Sequence, residues 1–149
     1  MRSFYARRVF PGVLNALMRD RDLQRLRAPT LAHATGKILE IGFGSGMNMA
    51  EYPKTVREIT AIDPSAELYV MAKERIRVSG IQVEFVIGSA ESLPFSENTF
   101  DTVVSTWSLC SIPDVQKALN EIFRVLKPGG AFLYIEHGLS PASPWQRIQ

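Results

Sequence analysis

Short apolar runs recur along the chain, and turn-forming residues follow each one. Five of these runs predict β-strands, because they are short, rich in β-branched or aromatic residues, and bounded by glycine, proline, serine or asparagine. The predicted strands are residues 37–41, 58–62, 82–87, 100–105 and 131–135, with an extension of the last to 137 left open.

Between the strands, apolar residues recur at the three- and four-residue spacing of helices. The predicted helices are 11–27, 47–52, 66–79 and 115–125. Asp114 is expected to cap the last helix, Gly80 to follow the end of the third, and Pro29 to end the first. The residues expected to face inward are Leu14, Leu17, Met18, Leu26, Leu68, Met71, Ala72, Ile76, Ala118, Leu119, Ile122 and Leu126.

The alternation of strands and helices predicts an α/β fold in which a mainly parallel sheet of five strands is covered by helices on both faces. We divide the chain into an N-terminal helix and connector (1–35), a core (36–138) and a C-terminal tail (139–149). A chain of 149 residues is long enough for one domain with its own core.

Charge and composition narrow the functional classes. The formal net charge is only +2, so we expect no nucleic-acid partner. Residues 1–30 nevertheless contain seven arginines, which form either a solvated helix face or a contact to anionic lipid or an acidic substrate. One cysteine and two histidines provide neither a disulfide nor a zinc-ligand spacing. With no membrane-length apolar run or signal-peptide pattern, a cytoplasmic location is expected.

The most informative stretch is residues 37–48, which read K-I-L-E-I-G-F-G-S-G-M-N. A buried strand that ends in a glycine loop brings backbone close to a ligand. A dinucleotide fingerprint would need a third glycine at position 47, where this chain has Met47, and this disfavours a nicotinamide-dependent oxidoreductase. Glu40, placed before the loop, favours a ligand that carries an ammonium group. The alternative is a tight turn that binds nothing.

Other strand ends carry further polar residues. Asp63-Pro64-Ser65 follows the second strand, and a carboxylate there can accept both hydroxyls of a ribose. An Asp-Pro turn without a ligand is the alternative. Later segments read G-S-A-E-S-L-P-F (88–95), T-W-S-L-C-S-I-P-D (106–114) and R-V-L-K-P-G-G (124–130).

These motifs, in this order, resemble the class I methyltransferases that depend on S-adenosylmethionine (SAM). The similarity is to the type 11 domain of ubiquinone and menaquinone biosynthesis, and more closely to its phospholipid and thiol methyltransferase branch, where L-C-S/T-I/V and a late E-H are typical. It covers roughly residues 36–138 and implies a Rossmann-like fold, SAM as cofactor, S-adenosylhomocysteine as product, and a small-molecule or lipid acceptor.

The resemblance also implies a set of cofactor-binding residues. The methionine part falls to the glycine loop, the ribose to Asp63, and the adenine to the loop after the third strand, where Ser89 replaces the usual Asp. Thr106 and Trp107 would pass under the methionine and sulfonium, although Trp107 is equally a core aromatic. The implied residues are Glu40, Gly42, Phe43, Gly44, Gly46, Asp63, Pro64, Ser65, Ser89, Ala90, Glu91, Thr106 and Trp107.

His137 is the candidate catalytic base, for an acceptor that must lose a proton; a structural histidine is the alternative. Cys110 is interpreted as a packing residue, because no partner base is identifiable. Family members continue after the fifth strand with a helix and a further strand pair, whereas this sequence stops at Gln149. We therefore expect a homodimer that covers the edge of the fifth strand, and we keep a non-catalytic SAM-binding module as the alternative function.

Overall fold

The computed structural model describes residues 21–136, with side chains from residue 25 onward. Within this range five strands form one sheet: β1 (Ile38–Ile41), β2 (Glu58–Asp63), β3 (Gln82–Ile87), β4 (Phe100–Thr106) and β5 (Leu126–Ile135). All strand pairs are parallel, in the order β3-β2-β1-β4-β5. The predicted α/β fold with a parallel sheet is confirmed.

Three α-helices and two 3₁₀ segments accompany the sheet in the described range. The helices are α1 (Arg21–Leu31), α2 (Ala66–Ser79) and α3 (Val115–Val125), and the 3₁₀ segments are Met47–Ala50 and Leu109–Ser111. Ser65 and Asp114 cap α2 and α3 by accepting hydrogen bonds from the backbone N–H of Leu68 and Lys117. Gly80 has a left-handed φ of 72° at the end of α2, as predicted.

Helix α1 departs from its predicted end and buried face. It continues through Pro29 to Leu31, because Leu31 is completely buried and proline in a last turn removes only one hydrogen bond. Leu26, expected to face inward, is 50% exposed, while Arg27 and Leu31 are buried one turn apart. The predicted helical residues 11–20, including Leu14, Leu17 and Met18, lie outside the described range.

Two smaller predictions also need correction. On α2 only Ala72 is fully buried, and Met71 is 36% exposed because Tyr69 and Ile76 pack against the core instead. Leu126 is buried as expected, but it belongs to β5 rather than to α3. Strand β5 begins five residues earlier than expected, since Pro128-Gly129-Gly130 forms a register shift against β4. Leu126 pairs with Phe100, and Ala131 next pairs with Thr102.

The sheet has one apolar layer on each face. Leu31, Ile38, Phe43 and Ala72 belong to the layer beneath α1 and α2, and α3 covers the opposite layer. Strand β1 is buried on both faces and lies between β2 and β4, where the strand order reverses. Ligands of open parallel sheets bind at this reversal, beyond the carboxyl ends of the strands. None of the helices in residues 21–136 has the length and apolar character of a membrane span.

Candidate functional site

A cavity of about 610 Å³ opens at the carboxyl ends of β1, β2 and β4. The glycine loop after β1 forms one wall, and the loop after β4 forms the facing wall. A second cleft of about 420 Å³ lies at the amino ends of β1, β2 and β3, with Lys37, Glu58 and Gln82 among its residues. We place the site in the larger cavity, because it lies at the strand-order reversal and contains the predicted polar residues.

The glycine loop has the conformation that its sequence predicts. Gly44 has a φ of +56°, and a Cβ built on it would have only the Gly42 carbonyl oxygen nearby, at 3.8 Å. The space beside Gly44 is therefore open to the cavity. Gly42 serves another purpose, since a side chain there would collide with Ser108 of the loop after β4. One glycine leaves room for a ligand and the other allows the two walls to meet.

Asp63 joins the glycine loop to the end of β2. Its Oδ2 accepts a hydrogen bond from Gly44 N at 2.8 Å, and its Oδ1 accepts one from Ser65 N at 2.8 Å. The carboxylate is 5% exposed, and burial raises its pKa while the two backbone N–H groups oppose that shift. Each carboxylate oxygen has a further lone pair, so Asp63 can still accept hydroxyl groups from a ligand.

A buried polar network lies beneath the loop, on the α1 side of the sheet. Asn48 occupies its centre: its Nδ2 donates to Glu40 Oε1 at 3.0 Å and to Thr106 Oγ1 at 3.1 Å, while its Oδ1 accepts a hydrogen bond from Arg27 Nη1. Tyr52 donates its hydroxyl to Glu40 Oε2 at 2.6 Å. Arg27 Nη1 also donates to Thr106 Oγ1 at 3.2 Å. Four separate chain segments thus meet around one amide.

Glu40 is nearly inaccessible to solvent and has unusual electrostatics. It is 2% exposed, and burial raises its pKa from an ordinary 4.5 to about 7, against the opposing effects of Tyr52, Asn48 and Arg27. Burial and the adjacent Glu40 carboxylate raise the pKa of the Tyr52 hydroxyl well above its usual value. In such surroundings, a nearby positive charge on a bound ligand stabilises the ionised form of the carboxylate.

Arg27 is a site residue that sequence reasoning missed. It is 2% exposed, lines the cavity, and stacks over the Trp107 ring with 4.7 Å from Cζ to the ring centroid. Among seven N-terminal arginines, composition alone gives no reason to single it out. Its position one helical turn before Leu31 is the signal that would have found it, because both residues then share the buried face of α1.

The loop after β4 is held in a strained conformation. Trp107 has a φ of +52°, one of only two positive values for residues other than glycine in the described range. Its backbone N–H donates to the carbonyl oxygen of Ile135 at 2.7 Å. Glu136 Oε1 accepts hydrogen bonds from Ser108 N and Leu109 N, each at 2.9 Å. The end of β5 therefore fixes the wall of the cavity that Trp107 and Ser108 form.

The loop after β3 forms the outer end of the cavity. Ser89 is exposed and donates to Glu91 Oε2 at 2.9 Å, and Glu91 Oε1 accepts a hydrogen bond from Asp114 N at 3.1 Å. Ser89 occupies the position expected for an adenine contact, but its hydroxyl already has a partner within the loop. Ala90 is 6% exposed and is the most buried of the three predicted residues here.

The cavity brings together most of the predicted site residues. Gly46 is the exception: it does not line the cavity, and a Cβ there would lie 3.0 Å from Ala72 Cβ, so it serves helix packing. The Phe43 ring packs against Tyr69 and Phe85 in the core, and Phe43 also lines the cavity. His137 lies outside the described range. The predicted residues lining the cavity are Glu40, Gly42, Phe43, Gly44, Asp63, Pro64, Ser65, Ser89, Ala90, Glu91, Thr106 and Trp107.

The two interpretations of Trp107 coexist, since the residue is 9% exposed and also lines the cavity. Cys110, interpreted from the sequence as a packing residue, is instead exposed and lines the cavity. Partial burial and the Glu136 carboxylate raise the pKa of its thiol, which opposes a nucleophilic role. Residues 21–136 contain no cluster of three or more histidine, cysteine or acidic residues suited to a metal ion.

A parallel sheet with an acid, a glycine loop and a second acid at its strand-order reversal defines a nucleotide-cofactor-binding α/β domain of the Rossmann-like class. Residues 39–134 match the family described as "Methyltransferase domain", and the chain belongs to that family. SAM is the cofactor of this family.

Named relatives agree with the family assignment. The ubiquinone/menaquinone biosynthesis C-methyltransferase UbiE of Cronobacter sakazakii is 38% identical over 105 residues, which cover 67% of this chain and 42% of the relative. The crystal structure of Bacillus subtilis YcgJ is 32% identical with a TM-score of 0.69, covering 83% of this chain and 53% of that one. The crystal structure of the cyclase SpnF is 29% identical with a TM-score of 0.65, covering 76% and 45%. The chain spans about half the length of the curated relatives it matches.

The residues present fit the family's cofactor. Gly44 has open space where any side chain would enter the cavity. Glu40 is a buried carboxylate, which can pair with an ammonium group, and Arg27 is a buried cation that lines the same cavity. Asp63 keeps lone pairs for hydroxyl donors. The charged groups that line the cavity therefore match a ligand in which an amino acid is joined to a nucleoside.

Proposed function

We propose that this chain binds SAM in the cavity at the carboxyl ends of β1, β2 and β4, and that it transfers the methyl group to a small organic or lipid acceptor. The observation that carries the proposal is the joining of Asp63 to the glycine loop, with Asp63 Oδ2 accepting from Gly44 N at 2.8 Å. This bond holds the Asp63 carboxylate beside the open space at Gly44, so one ligand can contact both.

The residues of the chain have separate roles in this proposal. Glu40, Gly42, Phe43, Gly44, Thr106 and Trp107 bind the amino-acid end, with Gly46 supporting the loop. Asp63, Pro64 and Ser65 bind the ribose and border the base, which Ser89, Ala90 and Glu91 approach from the outer end. SAM supplies a methyl group that is already activated by a sulfonium. The protein then has to align the acceptor and exclude water.

Within residues 21–136, the carboxylates that line the cavity already accept hydrogen bonds from the protein. Both oxygens of Glu40, Asp63 and Glu91 accept hydrogen bonds from the protein, and the pKa of the Cys110 thiol is raised. For an acceptor that must lose a proton, we propose His137, which lies outside the described range, as the base. Replacing His137 with Ala should lower kcat at unchanged cofactor affinity, with the loss confined to acceptors that carry an ionisable proton.

Calorimetry and a methyl-transfer assay test the proposed function in sequence. S-adenosylhomocysteine should bind to the chain, and NAD should not. Labelled SAM is then offered with a panel of thiols, amines, phenols and a hydroxylated quinone precursor. The last compound is included because relatives are named C-methyltransferases of ubiquinone and menaquinone biosynthesis. Failure to bind S-adenosylhomocysteine would refute the cofactor site itself.

A non-catalytic or non-methylating role is the second candidate. One similar solved structure is titled as a cyclase, so similarity at this level does not by itself imply methyl transfer. Binding of S-adenosylhomocysteine without methylation of any acceptor in the panel would favour this candidate. The same assay on a longer natural form of the protein, where one exists, separates missing acceptor contacts from a missing activity.

We further propose a cytoplasmic homodimer that covers the free edge of β5, and a peripheral membrane contact through the basic N-terminal segment. In the described range β5 pairs only with β4, and Tyr134 on this strand is 60% exposed. Light scattering at micromolar concentration tests the dimer, and a stable monomer would exclude it. Sedimentation with vesicles of mixed neutral and anionic lipid tests the membrane contact.

A further inference from the structure

Two residues of α2 contact the glycine loop without lining the cavity. Arg75 Nη1 donates a hydrogen bond to the Ser45 carbonyl oxygen at 2.8 Å. Ala72 is completely buried, and its Cβ lies 3.0 Å from the position that a Cβ on Gly46 would occupy. Residues three positions apart lie on the same face of a helix. One face of α2 therefore supports the loop at two consecutive residues.

The loop needs this support because its own sequence does little to fix its conformation. Gly44 and Gly46, on either side of Ser45, have φ values of +56° and +72°. Glycine adopts such values readily, but it also adopts many others, so ordering a glycine-rich segment costs more conformational entropy than ordering other residues. Contacts from outside the loop must therefore select the conformation that leaves the space at Gly44 open.

Asp63 and Arg75 hold the loop on either side of one peptide unit. Asp63 Oδ2 accepts a hydrogen bond from Gly44 N, and Arg75 donates one to Ser45 O, each at 2.8 Å. The first atom belongs to the peptide unit before Gly44, and the second belongs to the one after Ser45. The peptide unit that joins Gly44 to Ser45 is therefore restrained from both sides. Hydrogen bonds made by charged side chains are also stronger than those between neutral groups.

We propose that Arg75 is a positioning residue for the cofactor. By holding the Ser45 carbonyl, it keeps the glycine loop in the conformation that admits the amino-acid end of the ligand. The inference rests on the proposed function, in which this loop binds that end. Arg75 is not in the cavity lining, whereas Ser45 is, so the effect of Arg75 reaches the ligand through the loop. A loop that is open for only part of the time lowers the measured affinity by that fraction.

The experiment compares S-adenosylhomocysteine with methylthioadenosine, which keeps the adenosine and the sulfur but lacks the amino-acid end. In Arg75→Met a long apolar side chain retains part of the packing but cannot donate to Ser45. We expect calorimetry to show about tenfold weaker binding of S-adenosylhomocysteine, as for a loop that is open about a tenth of the time. The affinity for methylthioadenosine should stay close to the wild-type value, because Asp63 is retained.

Control variants separate the hydrogen bond from a general effect on α2. Arg75→Lys keeps a charged donor on a long side chain and should recover most of the lost affinity. Arg77→Met is the matched control, because Arg77 is exposed on the same helix, pairs with Glu74 and lies outside the cavity lining. It should leave both affinities unchanged. Hydrogen exchange without ligand should show the Gly44 and Gly46 amides less protected in Arg75→Met, with the amides of α2 unchanged.

The outcomes distinguish this inference from the proposed function. If wild-type chain binds neither ligand, the cofactor site is wrong and this inference falls with it. If wild-type chain binds the two ligands equally, or if Arg75→Met weakens both equally or neither, Arg75 does not position the loop and the cofactor site stands. Failure of Arg75→Lys to recover affinity would also refute the inference. If Arg75→Met does not fold, Arg75→Gln replaces it, because its side chain is two bonds shorter and loses the same contact.

Discussion

The two ends of the cavity contain similar chemical groups in different surroundings. At the inner end, Glu40 and Asn48 are 2% and 1% exposed and bind partners from other segments of the chain. At the outer end, Ser89 is exposed and hydrogen-bonds to Glu91 two residues away. A carboxylate accepts hydrogen bonds at both ends. Only at the inner end does its loss leave buried donors without partners.

The groups at the inner end are therefore part of the packed interior, whereas those at the outer end lie at the surface. The inner groups contribute to stability as well as to binding, since each satisfies a neighbour that water cannot reach. The outer groups can change with little cost to the fold. Ser89, where the resemblance implies an Asp, lies at the outer end, where a change of side chain costs the fold least.

Filling the open space at Gly44 should have the largest effect on binding. Gly44→Val places a branched side chain in the cavity and is expected to abolish binding of S-adenosylhomocysteine, measured by calorimetry. Gly80→Val is the matched control, because Gly80 has a similar φ of +72° with nothing within 4 Å of its added Cβ. Both variants carry the backbone strain, and only Gly44→Val blocks the cavity. Normal binding by Gly44→Val would make the loop merely structural.

Removal of the inner carboxylate should cost the most stability. Glu40→Ala leaves the Tyr52 hydroxyl and the Asn48 amide without their acceptor and removes a carboxylate whose charge acts on Arg27, so the free energy of unfolding should fall by about 2–4 kcal/mol. Urea denaturation measures the loss. A change below about 0.5 kcal/mol would mean that the inner network is not integral to the fold, and the contrast between the two ends would fail.

Asp63 lies between the two ends, and its loss should lower the cofactor affinity. Asp63→Ala is expected to cost about 2–3 kcal/mol of SAM affinity, because two ribose hydroxyls lose a charged acceptor. Asp63→Asn, which retains one acceptor oxygen, should lose less. Calorimetry that shows unchanged affinity in Asp63→Ala would remove this residue from the site.

The pH dependence of binding should report on Glu40. Its pKa of about 7 means that the carboxylate is mostly protonated at pH 6 and mostly ionised at pH 8. The ligand ammonium prefers the ionised form, so the affinity for S-adenosylhomocysteine should be roughly tenfold weaker at pH 6 than at pH 8. In Glu40→Gln this dependence should flatten, whereas an unchanged profile would assign the titration to another group.

The raised pKa of Glu40 changes stability with pH in the opposite direction: binding strengthens as the pH rises, whereas the stability of the free protein falls. A carboxyl group whose pKa is raised on folding binds its proton more tightly in the folded state. Without ligand, its contribution to the free energy of unfolding is therefore greatest below the unfolded pKa near 4.5 and is lost as the pH rises through 7. Urea denaturation at several pH values, with Glu40→Gln for comparison, checks this direction.

The smallest effect is expected at the outer end. Ser89→Ala should change the free energy of unfolding by no more than about 0.5 kcal/mol and the cofactor affinity by a similar amount. Ser89→Asp, which introduces the acid that the resemblance implies at this position, should raise the affinity if the adenine amino group lies there. A large loss of stability in Ser89→Ala would contradict the contrast drawn between the two ends.

Most strands and helices were predictable because local signals agree with the fold. Asp114 and Gly80 mark helix ends by short-range chemistry, and the bounds of α2, α3 and β3 follow from such signals. The end of α1 was not predictable in this way. The burial of Leu31 against the sheet is a long-range contact, and it outweighs the local effect of Pro29. The register shift in β5 likewise depends on its pairing with β4, and the sequence of β5 alone carries no information about that pairing.

The site was predictable to the extent that its motifs are contiguous. The glycine loop and Asp63 could be located from short patterns, whereas Arg27, Asn48 and Tyr52 join the site only because folding brings distant segments together. Polar residues in a helix or after a loop ordinarily predict a solvated surface. Glu136, which fixes the turn at Trp107, carries no local signal of that role.

The fixing of the Trp107 turn by the end of β5 has a consequence for biosynthesis. Domains tend to fold from the N-terminus as the chain emerges from the ribosome. Arg27 and the glycine loop emerge early, but the Ile135 carbonyl and the Glu136 carboxylate that hold Trp107 in its left-handed conformation come last in the described range. A nascent chain can therefore begin to pair its first strands without a complete cofactor cavity. Cofactor present during translation would stabilise only chains that have released the end of β5.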